Sequence, residues 1–343
     1  MTRNKKIPSN AFLMVAVIIA TLLAAPMIAG AAGTPSGTVI SNSATATFQD
    51  SGGNNFTEVS NTTTVTVTSV WGVAFVPPLP ADSNAYINTT VYYPYTITNS
   101  GNDNNTFALS GLSSNGWTVT LYADDGAGTG GIANDGIHQA EELTPGGSSG
   151  LLDGDETYSF FMAVEVPNDN TITSGTTDDA ELTVTGANGA GEDDTTDLVI
   201  TTIVRPTLSV QKEVQLYPAG GWDTTIQAAP DNVVEYRITV TNSGLDNAAS
   251  VVLSDPIDVN TGYEINSAVF NVGTSGLTAP VTAEFSADAR PGPYNYNYTP
   301  LVDGGCGAPA GYDYCVTSVR WTPTGSMVNG GANFNVIFRV RVK

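Results

Sequence analysis

The densest run of side chains able to do chemistry lies between Tyr122 and Glu142, and reads Tyr-Ala-Asp-Asp-Gly-Ala-Gly-Thr-Gly-Gly-Ile-Ala-Asn-Asp-Gly-Ile-His-Gln-Ala-Glu-Glu. Hard cations such as calcium take six to eight oxygen ligands from carboxylates, amides and backbone carbonyls. Asn134-Asp135-Gly136-Ile137, followed by Glu141 and Glu142, imitates the Asp-Gly core of a calcium loop with its closing acid. The full spacing is missing. Gly131 and Ala133 stand where earlier ligands would fall, so Asp124 or Asp125 has to fold back across the glycines. Asp124, Asp125, Asn134, Asp135, Glu141 and Glu142 are therefore candidate ligands for a structural calcium ion, the one cofactor the sequence suggests. An unliganded acidic loop is the alternative.

Other constellations are sparser. Cys306 and Cys315 sit in Gly-Gly-Cys-Gly-Ala-Pro-Ala-Gly-Tyr-Asp-Tyr-Cys. In an exported chain that spacing, full of turn formers, suits a loop closed by one disulfide. Zinc lacks ligands here, since the single histidine, His138, lies far away in sequence. A catalytic triad would have to rely on that same His138, with no nucleophile-elbow motif beside it. Acids are so numerous that no pair of carboxylates stands out for glycoside hydrolysis. No enzymatic activity is expected. Trp117, Trp222 and the alternating Tyr294, Tyr296 and Tyr298 offer stacking platforms for a carbohydrate-binding module, or else pack as core and edge.

The elements that must position these groups are strands. Val234 to Asn247 (Val-Glu-Tyr-Arg-Ile-Thr-Val-Thr-Asn-Ser-Gly-Leu-Asp-Asn) repeats the plan of Val91 to Asn104, 143 positions earlier. In both copies apolar residues fall on every second position, the period of a half-buried strand. Both stop at Asn-Ser-Gly, where a tight turn is expected to reverse the chain onto Thr106–Leu109 or Ser250–Leu253. Tyr158, Phe160, Met162, Val164 and Val166 alternate likewise, as do Phe334, Val336, Phe338, Val340 and Val342. Short alternating runs between turn clusters predict an all-β fold of two immunoglobulin-like antiparallel sandwiches in tandem, residues 71–205 with the acidic insertion and 206–343.

Residues 32–70 read as a separate β-hairpin turning at Asp50-Ser51-Gly52-Gly53, and residues 181–204 echo that layout. The first hairpin either folds onto its own sandwich or is donated to another copy. The sequence leaves both open. Ahead of it, Arg3, Lys5 and Lys6, the apolar run from Ala11 to Ala25 and Ala29-Gly30-Ala31 form the pattern of a cleaved export signal over residues 1–31.

Charge is lopsided. Between Ile7 and Val204 there is no Lys or Arg but 21 Asp or Glu; Arg205 to Lys343 holds 8 basic and 12 acidic residues. The exported chain carries about −25, which disfavours nucleic acid and anionic membrane as partners.

Leu208-Ser-Val-Gln-Lys-Glu, Val234-Glu-Tyr-Arg-Ile-Thr-Val-Thr-Asn-Ser-Gly, Val252-Leu-Ser-Asp-Pro-Ile, Val319-Arg-Trp and the closing Gly-Gly-Ala-Asn-Phe strand resemble the DUF11 repeat of prokaryotic surface proteins over most of residues 206–343. The resemblance implies an immunoglobulin-like sandwich in cell-envelope, adhesive or fibre-forming proteins, without catalytic residues. The reading that results is an exported structural protein of the cell surface or extracellular matrix, a filament subunit built by head-to-tail strand donation. An adhesion module for glycans or other surface proteins is the second reading.

Overall fold

The structure is a computed structural model that describes residues 33–189 and 193–343. The expected export signal lies outside them. No helix among the described residues is long and apolar enough to cross a membrane.

The described chain opens with β1 (Val39–Asn42), β2 (Thr45–Gln49), β3 (Asn55–Val59) and β4 (Thr63–Thr66). β1 pairs with β4 and β2 with β3, so the two ladders make one long hairpin. Its turn is built by Asp50, whose carboxylate accepts the Gly52 and Asn54 amides at 2.9 Å each, while Gly53 takes the left-handed backbone at φ 80°.

The first sandwich comprises β5 (Val73–Phe75), β6 (Ser83–Ala85), β7 (Thr90–Asn99), β8 (Asn105–Ser113), β9 (Thr118–Ala123), β10 (Ser148–Leu152), β11 (Thr157–Glu165), β12 (Thr177–Gly186) and β13 (Thr195–Ile203). One sheet runs β5-β7-β11-β9, and the other runs β10-β8-β12-β13-β6. Tyr93, Tyr95 and Ile97 of β7 meet Phe160, Met162 and Val164 of β11, and both pack on Phe107, Leu109, Leu182 and Val199 of the facing sheet.

The second sandwich comprises β14 (Leu208–Leu216), β15 (Val233–Asn242), β16 (Ala248–Ala249), β17 (Leu253–Pro256), β18 (Thr261–Glu264), β19 (Val269–Asn271), β20 (Glu284–Ser286), β21 (Tyr312–Asp313), β22 (Ser318–Trp321), β23 (Ser326–Met327) and β24 (Ala332–Val342). Its large sheet runs β14-β15-β24-β18-β21, with β19 also on β24. Facing it are β17-β22-β20 and the pair β16-β23. Fully buried Trp321, Phe334, Val336 and Phe338 form its centre. Strand alternation thus sorts both cores as the sequence requires, giving an all-β chain of two antiparallel sandwiches behind a hairpin, with the short edge strand β6 alone joining its neighbour β13 in parallel.

The expected reversal at Asn-Ser-Gly does not occur. β7 pairs with β5 and β11, and β15 with β14 and β24, while the runs that follow cross into the facing sheet. The asparagine side chain makes the arch. The Asn99 amide donates to the carbonyls of Asp103 (2.8 Å) and Leu152 (3.0 Å) and accepts from the Gly101 amide at 3.0 Å. Asn242 does the same with Asp246 (2.9 Å), Met327 (3.3 Å) and Gly244 (3.2 Å). Both asparagines are fully buried, so each replaces water for backbone groups that would otherwise lack partners.

Asn242→Ala removes those bonds while leaving the backbone groups in place, and each unsatisfied buried group costs about 1–3 kcal/mol. The urea midpoint of unfolding is expected to fall by an amount worth at least about 2 kcal/mol, and Asn99→Ala is expected to act equally on the first sandwich.

Candidate functional site

The acidic loop between β9 and β10 is organised by two buried carboxylates. Asp124 accepts the amides of Asn134 and Gly136 at 2.9 Å each, and Glu142 accepts those of Gly126 and Gln139 at 2.7 Å each. Burial raises the Asp124 carboxyl above its ordinary value, with the two amides opposing it. Asp125 accepts from Ala127 at 3.0 Å and from the Thr144 hydroxyl, contacts that hold its carboxyl below the ordinary value. Asp135 accepts the Ile137 amide at 2.8 Å, and Asn134 stands at φ 61°. Glu141 is exposed, beside Gly128. The structure therefore joins Asp124 and Glu142 through the loop backbone and leaves Asp125, Asp135 and Glu141 at the surface. Among the described residues no group of three or more His, Cys, Asp or Glu forms a metal-holding set.

The same loop folds back over the outer face of β7 and β11. His138 stacks on Tyr92 (centroids 3.7 Å, 13° between planes) and meets Phe161 edge-on at 5.3 Å. This explains why β11 is buried on both faces from Ser159 to Val164. Off-phase Phe161 and Ala163 make an almost unbroken apolar run, which is the mark of a doubly covered strand. That signal could have shown that the insertion packs on a sheet.

Cys306 and Cys315 form the expected disulfide, with Cα atoms 5.2 Å apart. Inside this loop the fully buried Asp313 accepts the Cys315 amide (2.7 Å), the Leu301 amide (2.8 Å) and the Tyr298 hydroxyl (2.8 Å). Burial and that carboxylate push the Tyr298 phenol up to about 12. Tyr296 is engaged as well. The Tyr296 hydroxyl lies 2.9 Å from Ser318 Oγ, and the Arg320 guanidinium covers its ring at 4.1 Å. Trp117 packs against the first core, and Trp222 lies under the Arg237 guanidinium at 4.5 Å. Trp117, Trp222, Tyr296 and Tyr298 are thus held in packing and edge contacts.

The most open feature is the N-terminal hairpin. Every residue from Val39 to Thr66 is exposed, Val39, Ile40, Phe48, Phe56, Val59 and Val65 included. It touches the first sandwich only at its base. There the Asn102 side chain donates to the carbonyls of Thr34 and Thr68 (3.1 Å each) and accepts the Val70 amide at 2.7 Å. Ile40 and Val65 are cross-strand partners, and Phe48 stacks on its partner Phe56 at 5.4 Å. Alternation puts these four with Ala44 and Ala46 on one face. The composition signalled a hairpin, but its lack of cover was not legible.

No family model matches the chain, and no curated protein does. Among solved structures it is similar to the C-terminal domain of the Streptococcus pyogenes antigen I/II-family protein AspA, at 10% identity and TM-score 0.36 over 80% of this chain and 91% of that one. The C-terminal domain of the Streptococcus agalactiae antigen I/II polypeptide BspA matches at 11% identity and TM-score 0.27 over 80% and 92%. A family 123 glycoside hydrolase from Clostridium perfringens matches at 13% identity and TM-score 0.26, over 40% of this chain and only 27% of the hydrolase.

Two measurements test the loops. Calcium at the acidic loop is a proposal: a melting temperature raised by calcium and reversed by chelator supports it, because a ligand of the folded state stabilises by mass action, and an unchanged melt removes it. Reducing Cys306–Cys315 is expected to lower stability by about 2–3 kcal/mol, the loop-closure contribution for so short a loop, read from denaturant midpoints with and without reductant.

Proposed function

We propose that the chain is an exported, non-catalytic structural subunit of a cell-surface or extracellular assembly, which associates with further copies through its N-terminal hairpin. The observation that carries this reading is the hairpin itself. An isolated two-stranded ladder is marginal in water, and strands with unpaired edges and exposed apolar side chains are templates for another chain. Phe48 and Val65, 52% and 65% exposed, contribute nothing to either core. The rest of the molecule supports a structural role in the same way: its sole histidine is stacked between aromatic rings, and its buried acids hold loops together. Trp222 and Tyr296 each carry a guanidinium over the ring, and the hydroxyls of Tyr296 and Tyr298 have partners within the protein, which favours the structural reading over a glycan-binding one. The strong negative charge keeps the copies soluble until a specific contact forms.

The test compares the chain with its Phe48→Asp/Phe56→Asp variant by light scattering and electron microscopy. The unsubstituted chain is expected to form oligomers or filaments, while the variant stays monomeric with an unchanged melting temperature. A wild-type chain that remains monomeric at every concentration and salt overturns the proposal.

A further inference from the structure

Resting on the self-association just proposed, we infer the acceptor: the hairpin β1–β4 of one copy completes the second sandwich of another, entering along the unpaired edge of β16–β17 as β12–β13 enters the first sandwich.

The first sandwich shows what a completed unit looks like. β8 is paired on both edges, by β10 and by β12. β13, joined to β12, lies over the central strand, where Asp197 accepts the Tyr95 hydroxyl at 2.8 Å and Thr201 Oγ1 lies 2.7 Å from the Tyr93 hydroxyl. Beneath it Val73 and Phe75 of β5 are half-buried against the core.

The second sandwich repeats this frame up to one point. β16 and β17 follow the buried Asn242 as β8 follows Asn99, and the Asn242 amide bonds to Met327 of β23 as that of Asn99 bonds to Leu152 of β10. β23 and β22 thus take the side of β10. On the opposite edge, where β8 receives β12, no strand pairs with β16 or β17 among the described residues. The uncovered apolar surface is where this predicts. Leu208 pairs with Asn242 as Val73 does with Asn99, and Val210 with Val240 as Phe75 does with Ile97. Leu208 and Val210 are 43% and 61% exposed, and Tyr236 is half-buried although Tyr93, at the same place, is buried.

The free hairpin has the build of the missing piece. Gly37 and Gly175 open the two hairpins at φ 78° and 82°. Each glycine amide donates to the partner strand, to Val67 at 2.9 Å and to Ile203 at 2.8 Å, and those residues donate back to Thr38 and Thr176. The exits match too. The carbonyls of Val70 and Gly72 accept the amides of Asn102 and Ser100, and those of Arg205 and Thr207 accept the amides of Leu245 and Ser243, at 2.9–3.2 Å. Each hairpin is therefore seated by its base on the sandwich that follows it. Only β12–β13 is also inserted in a sandwich that precedes it. Counted from the opening glycines, Ala44 and Ala46 take the places of the fully buried Leu182 and Val184, and the glycine hydrogen bonds put Val67 in the place of the fully buried Ile203.

The occupant is a second copy rather than the same chain. The hairpin base sits at the Asn99 end of β7, and the link to β14 leaves from the Ala85 and Thr90 end, where Val204 donates to Ala85. A strand of ten residues is about 33 Å long, so a molecule's own hairpin points away from its own second sandwich. The contact is heterologous and propagates head to tail.

The register follows from β12 on β8, where Thr183 faces Ser110. Thr45 takes the place of Thr183, and Ser254, after buried Leu253, takes that of Ser110 after Leu109. Mixing full chains carrying Thr45→Cys and Ser254→Cys under mild oxidation is expected to give a reducible dimer in high yield, several-fold above Thr45→Cys mixed with Pro256→Cys. The double variant is expected to give a ladder of multimers. If the chains assemble by light scattering but this pair cross-links no better than the shifted one, the assigned acceptor is wrong and the self-association stands. If they do not assemble at all, both fall.

Discussion

Everything in this molecule hangs on one buried amide per sandwich. A strand that leaves one sheet for the other must abandon its ladder, and in doing so it strands carbonyls and amides at the point where the core is closed. Asn99 and Asn242 solve this with a side chain that has both donors and acceptors in a fixed plane. Each binds its own loop on one side and the last residue of the facing sheet's strand on the other. The following glycine matters for space: a Cβ on Gly101 or Gly244 would lie 2.4 Å or 2.3 Å from a carbonyl oxygen of the incoming chain, Val70 or Arg205. The arch therefore fixes where the preceding hairpin attaches as well as where the two sheets join.

From that geometry follows the distribution of open and closed edges. Sandwiches bury their faces but not their margins, and unpaired backbone at a margin invites another chain. In the first sandwich the long strands β8 and β12 lie inside their sheet, and the margins fall to the short β6 and the irregular β10. In the second, Leu208 to Lys212 of β14 are exposed, and β17 is an edge. Lys212 reaches from there to Asp255 at 2.6 Å and lies 4.5 Å over the Tyr236 ring, so the open margin carries an ion pair beside its apolar floor. A charge at an open edge blunts indiscriminate pairing while leaving room for a matched partner.

Much of this architecture was legible from period and repeat. The alternation of Val234 to Val240 and of Phe334 to Val342 reports directly which side chains face a core, because a strand has only two faces. The disulfide was legible because two cysteines in a short turn-rich loop have few other uses. The destination of the chain after Asn-Ser-Gly was not, since the same residues suit a hairpin turn and an arch, and the choice is made by Leu152 and Met327, distant in sequence. The acidic loop shows the same limit. A run of Asp, Asn and Gly announces oxygen ligands and tight turns alike, and here Asp124 and Glu142 meet the amides of Asn134, Gly136, Gly126 and Gln139. What the loop covers is written instead in Phe161 and Ala163, on the supposedly exposed phase of β11.

Under the proposed head-to-tail arrangement the uneven charge acquires a role. Every Lys and Arg after residue 7 lies at or beyond Arg205, so the first sandwich and its hairpin are purely acidic and the second holds all the cations. Two first sandwiches brought together would repel, as like charges do across an interface. A hairpin entering a second sandwich would instead bring its acids, Asp50 and Glu58, toward a body whose acids are partly offset by cations such as Lys212, Arg237 and Arg320, each in an ion pair of its own. Backbone pairing would supply the attraction in either case, and the lesser repulsion would favour the second sandwich. A selection of that kind is electrostatic and mostly at the surface, so it would weaken with salt, while the hydrogen bonds of an inserted hairpin would not. Added salt should then relax the choice of partner before it loosens the strand contact itself.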